Sequence, residues 1–106
     1  MTRVGFCVQL KPDRLDEYRE RHKHVWPDML QALSDNGWKN YTLFLRPDGL
    51  LFGYAEVESF EAALAGMEAT EVNARWQAEM AQFVETKDDR RLDQSFLSLQ
   101  EIFHLD

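Results

Sequence analysis

Apolar positions along the chain alternate at first and then fall into a slower rhythm. In Val4-Gly5-Phe6-Cys7-Val8-Gln9-Leu10, Val4, Phe6, Val8 and Leu10 share one face, and a period of two predicts a strand. Pro12 and Asp13 break that pattern and open a helical one. Leu15, Tyr18, His22, Val25 and Met29 recur at three- and four-residue intervals, as one face of a helix requires. Pro27 lacks an amide donor and disfavours helix in the residue before it, so the helix kinks or restarts near Trp26. Asn36-Gly37 closes it, glycine being favoured just past a helix C-terminus. Two aromatic-rich apolar runs, residues 41–45 and 51–55, flank Arg46-Pro47-Asp48-Gly49 and predict a hairpin. Ser59 caps a short helix carrying Phe60, Ala63, Leu64 and Met67 inward. Thr70 caps another, with an inner stripe of Val72, Trp76, Met80 and Phe83. Residues 85–95 read as an exposed loop, and residues 96–105 as an extended fourth strand. No internal repeat or low-complexity tract interrupts this order.

Strand, helix, strand, strand, helix pair, strand is the split β-α-β arrangement of ferredoxin-like folds. It predicts one α+β domain over residues 1–106, an antiparallel sheet with helices on one face. The other face needs cover as well. Gly5 and Cys7 oppose the Val4, Phe6, Val8, Leu10 set, while Phe96 and Ile102 oppose Leu97, Leu99 and Phe103. Pairing two sheets face to face covers such residues, so the expectation is a homodimer of the α+β-barrel kind.

Charge narrows the choice of partners. The net charge of −7 over 106 residues leaves no surplus of cations for a phosphate-binding patch, so nucleic acid is not expected. The mixed-sign run at residues 87–91 reads as a solvated loop. No apolar stretch approaches the roughly 20 residues of a membrane span. The first residues show neither the apolar run nor the small-residue cleavage site of a signal peptide. A single cysteine, Cys7, cannot form an intrachain disulfide and fits a reducing compartment, so a cytoplasmic location is expected.

Chemistry concentrates between residues 17 and 27. Tyr18 and His22 lie four residues apart, about 40° around a helix, and both fall on the stripe that faces the sheet. Two readings of His22 stand side by side at this point. It is a core histidine whose ring nitrogen is satisfied by a backbone carbonyl, or an acid/base group working beside a phenol. His24 points elsewhere and reads as surface, and His104 has no partner close in sequence. His22 and His24 on different faces, with no cysteine or carboxylate cluster at ligand spacing, give no metal site. Cys7, mid-strand, has no histidine beside it in sequence. Trp76 shares a helix with Arg75 and Glu79; it is either core or a stacking surface for the C–H face of a sugar.

These residues resemble the L-rhamnose mutarotase family. The similarity runs through nearly the whole chain: Phe6, Gln9, Pro12-Asp13, Glu17-Tyr18, Arg21-His22, Trp26-Pro27, Asn40-Tyr41, Leu50-Leu51-Phe52, the run from Ala69 to Val72, Arg75-Trp76, and Leu99 to Phe103. Tyr-x-x-x-His-x-x-x-Trp-Pro is the most specific part. The resemblance implies a dimeric ferredoxin-like protein that interconverts the α and β anomers of L-rhamnose without a cofactor. It makes His22 the proton-transfer residue and Tyr18, Tyr41 and Trp76 sugar contacts. After Trp76, where members often carry a second tryptophan, this chain has Gln77, which offers hydrogen bonds instead of a stacking surface. Two rivals share this inventory. One is a cofactor-independent oxygenase or decarboxylase on the same dimeric barrel, since a fold does not fix a reaction. The other is a binding-only sugar module, which has no need of a buried Tyr18/His22 pair.

Overall fold

Phe6, Val8 and Leu10 turn inward and are buried, as the alternation requires. In the computed structural model, which describes residues 1–85 and 96–106, they belong to or directly follow β1 (Thr2–Gln9). A 3₁₀ turn then leads into α1 (Leu15–His22) and α2 (Pro27–Asp35), followed by the hairpin β2 (Lys39–Leu45) and β3 (Leu50–Val57). Next come α3 (Phe60–Glu68), α4 (Glu71–Met80), a second 3₁₀ turn (Ala81–Phe83) and β4 (Leu97–Leu99). The strands lie in the order β2-β3-β1-β4, each antiparallel to its neighbour. This is the predicted ferredoxin-like sheet.

Local chemistry sets the boundaries. Trp26 precedes Pro27 and is extended (φ −60°, ψ 136°), so α1 and α2 are separate helices with proline at the start of the second. The predicted restart near Trp26 is thus observed, and Val25, expected on the helical stripe, lies with His24 between the two helices. Ser59 Oγ accepts from the Ala62 amide at 3.2 Å, and Thr70 Oγ1 from the Asn73 amide at 3.2 Å, so both predicted caps form. Gly53 is required by a close approach: a Cβ there would stand 2.2 Å from Phe6 Cζ. The Phe6 ring fills that space, 4.1 Å from the Phe96 ring centroid.

Two faces of the sheet differ. The helices cover the face carrying Phe6, Val8, Leu51 and Ala55, and the core sits there. On the other, Leu97, Cys7, Phe52 and Phe44 stand in one row and Leu99, Gly5, Tyr54 and Thr42 in the next. Phe44 and Leu97 are more than half exposed.

Three expectations need correction. The last strand spans only three residues; residues 100–106 continue without ladder bonds, held beside β1 by Arg3 Nη2 donating to Glu101 Oε1 at 3.0 Å. His104 does have a near partner, Asp106 Oδ1 at 2.7 Å. The inner stripe of α4 is Asn73, Trp76, Gln77 and Met80; Val72 is half-buried and Phe83 lies in the following turn. The predicted loop falls, apart from Glu85, outside the described residues, as does the charged run at 87–91. Among the described residues, no helix is long and apolar enough to cross a membrane.

Candidate active site

Between the helices and the inner sheet face lies a cavity of about 320 Å³, near the lower bound for small-molecule sites. Its wall includes Leu, Met and aromatic side chains from α2, α3 and the sheet, with polar atoms from Tyr18, His22, Tyr41, Asn73 and Gln77. Tyr18, His22, Tyr41, Trp76 and Gln77, the five site residues expected from sequence, all line it.

α1 sets the first pair. Tyr18 is buried and His22 half-buried, their ring centroids 4.2 Å apart. His22 Nδ1 lies 3.0 Å from the Tyr18 carbonyl oxygen one turn back. A carbonyl only accepts, so Nδ1 carries the proton and donates it, leaving Nε2 with its lone pair. Among the described residues Nε2 has no hydrogen-bond partner. The backbone-carbonyl reading of one His22 nitrogen is thus observed, and the other nitrogen belongs to a side chain on the cavity wall. Burial pushes the imidazole below its ordinary pKa, partly opposed by the bond to Tyr18. Burial also raises the Tyr18 phenol, with the nearby Tyr41 adding to it. At neutral pH the site therefore holds a neutral imidazole and a protonated phenol.

α4 sets the second group. Trp76 lies edge-on to His22 at 5.5 Å and to Trp26 at 5.1 Å between centroids. Gln77 Nε2 donates to Asn73 Oδ1 at 3.1 Å. Tyr41, beside a register shift in β2, leans on Trp38 with centroids 4.8 Å apart. Asn73 was missed in the sequence because hydrophobicity assigned the stripe to Val72. The available signal was its i,i+4 spacing to Gln77, two amides on the face that also carries Trp76.

Behind Trp76 lies an open cleft lined by Glu20, Arg21, His24, Trp26 and Glu79. Arg21 Nε bonds Glu79 Oε1 at 2.8 Å, and Arg75 Nη2 bonds Asp28 Oδ2 at 3.3 Å, tying α4 to the first two helices. His24 is exposed, 3.7 Å from a Glu20 oxygen.

A family model described as L-rhamnose mutarotase matches residues 3–105. The chain belongs to that family. Among L-rhamnose mutarotases, the one from Oceanobacillus iheyensis is 36% identical over 107 aligned positions, covering 100% of both chains. That from Enterococcus faecalis is 39% identical over 90 positions, 84% of this chain and 86% of the relative. The crystal structure of an L-rhamnose mutarotase from Formosa agariphila superposes with a TM-score of 0.82 at 25% identity, over 100% of each chain.

Proposed function

We propose that the chain interconverts the α and β anomers of L-rhamnose by acid/base opening and closure of the pyranose ring, with His22 as the proton-transfer group. The observation that carries this reading is the state of His22. It lies on the wall of a sugar-sized cavity with Nδ1 held by the Tyr18 carbonyl, which leaves the lone pair on Nε2, and burial lowers its pKa toward the neutral form.

The steps follow from that state. Nε2 takes the proton of the anomeric hydroxyl and delivers it to the ring oxygen as the bond between the anomeric carbon and ring oxygen breaks. The aldehyde so formed turns about its bond to the next carbon. Closure reverses the transfer: Nε2 takes the proton back as the former ring oxygen attacks the opposite carbonyl face, and delivers it to the new anomeric oxygen. Tyr18, which burial keeps protonated, serves as a hydrogen-bond donor to a sugar oxygen rather than as a base. Trp76 and Tyr41 supply apolar faces for the ring and its methyl group, and Gln77 a polar contact. One positioned acid/base contributes roughly 10²–10⁴-fold. Nothing in these steps calls for a cofactor.

The protein acts, on this reading, as a two-fold homodimer in the cytoplasm. The apolar rows on the uncovered sheet face, together with the exposed Ile102, Phe103 and Leu105, supply the surface for a second copy. Sedimentation equilibrium at low micromolar protein is expected to give twice the chain mass, and a stable active monomer contradicts it. The activity is tested by NMR exchange spectroscopy on free sugars. Added protein is expected to speed α-to-β exchange of L-rhamnose, and an unchanged rate refutes the reading.

A further inference from the structure

Two side chains on the α4 wall of the cavity are poorly explained by a role in the core alone. Asn73 is 1% exposed and Gln77 5%, in surroundings that are mostly leucine, methionine and aromatic rings. A buried carboxamide costs stability unless it is hydrogen-bonded, and an apolar residue of similar size avoids that cost. The two amides meet each other one helical turn apart, Gln77 Nε2 donating to Asn73 Oδ1 at 3.1 Å. Asn73 stands on the capped first turn of α4, its backbone N–H donating to Thr70 Oγ1 at 3.2 Å. The side chain that accepts from Gln77 therefore springs from an anchored stretch of backbone.

A carboxamide presents a carbonyl and an amino group side by side. That pair matches two hydroxyls on neighbouring carbons, each of which donates and accepts. Taking L-rhamnose as the substrate, as proposed above, we propose that Asn73 is a positioning residue. It holds the Gln77 carboxamide in the one orientation that reads two adjacent, non-reacting ring hydroxyls, so the pair selects the intact sugar over a deoxy analogue of the same shape. Sites that hydrogen-bond a hydroxyl reject analogues lacking it, because their own polar groups are then left unpaired.

The test compares calorimetric binding of L-rhamnose with that of its 2-deoxy and 3-deoxy analogues, alongside exchange kinetics. The wild-type chain is expected to favour the intact sugar by roughly tenfold over the weaker analogue. Asn73→Ala is expected to narrow that ratio to about twofold, with KM rising by a larger factor than kcat falls. If Asn73→Ala fails to fold, Asn73→Leu combined with Gln77→Met removes both amides without orphaning either, and the same ratio is read there. A folded variant with wild-type discrimination overturns the proposal, as does a wild-type chain indifferent to the missing hydroxyl. Binding with discrimination but no faster exchange overturns the mutarotase reading and supports the pair. No binding of rhamnose overturns both.

Discussion

Trp76 stands between two hollows, each with one histidine on its wall. On its inner side, His22 lies half-buried in a cavity walled by leucine, methionine and aromatic rings. On its outer side, His24 lies with Arg21, Glu20 and Glu79 in a cleft open to water. One residue separates the imidazoles in sequence, and water separates them in behaviour. Outside, charges pair with one another at the surface, where screening leaves an ion pair worth little. Inside, desolvation holds the imidazole neutral and a backbone carbonyl fixes its tautomer. An acid/base group is made by its surroundings, and a histidine count does not reveal which one has them.

The sharpest way to break this contrast is to remove each imidazole in turn. His22→Ala is expected to lose roughly 10²–10⁴-fold of the catalysed exchange while the fold survives. His24→Ala is expected to leave the rate within about twofold, the ordinary outcome for a surface side chain. Equal losses, measured by NMR exchange, erase the distinction between the hollows.

Acid probes the inner hollow next. With the His22 pKa below the ordinary imidazole range, exchange is expected to hold constant down through that range and to fall about tenfold per pH unit beneath the lowered value. Stability follows the same group. Between the two pKa values the unfolded chain binds more protons than the folded one, so folding weakens as pH falls through that window. Below the lowered pKa this contribution stops changing. Urea midpoints against pH reveal the slope, and His22→Gln is expected to remove it; a slope that persists assigns the effect to other groups.

Thinning the wall itself gives a smaller effect. Trp76→Phe is expected to raise the half-saturation concentration several-fold, about 1 kcal/mol of lost contact, with turnover less affected. A collapsed turnover at unchanged half-saturation reverses the division of labour between Trp76 and His22. The smallest effect belongs to the outer hollow. Replacing Arg21 and Glu79 together by alanine breaks an ion pair whose side chains are 43% and 38% exposed. The expected cost is about 0.2–1 kcal/mol in denaturant unfolding, with exchange unchanged.

Much of the frame was legible because each signal was local. The period of two in β1, the Pro-Asp-Gly hairpin turn, and the Ser59 and Thr70 caps each depend on a few neighbouring residues. Tyr18 and His22 were legible for the same reason, since four residues along a helix puts them together. What escaped depends on distant parts of the chain. The rotation of α4 that buries Asn73 in place of Val72 follows from a cavity whose other walls come from α2, α3 and the sheet. β4 reads as long because its apolar residues continue past Leu99, yet the ladder with β1 runs only from Gly5 to Cys7. The pairing of His104 with Asp106 is local, a contact two residues apart, but no periodicity encodes it.

All three tryptophans of the chain lie at or beside the cavity: Trp38 and Trp76 line it, and Trp26 meets Trp76 edge-on. The indole emission of this chain is therefore expected to report on the cavity's surroundings. An imidazolium quenches a neighbouring indole more strongly than a neutral imidazole does, and the His22 and Trp76 ring centroids are 5.5 Å apart. On the proposed reading, the unlabelled molecule carries its own optical gauge, whose brightness is expected to change when a sugar enters and when His22 takes up a proton.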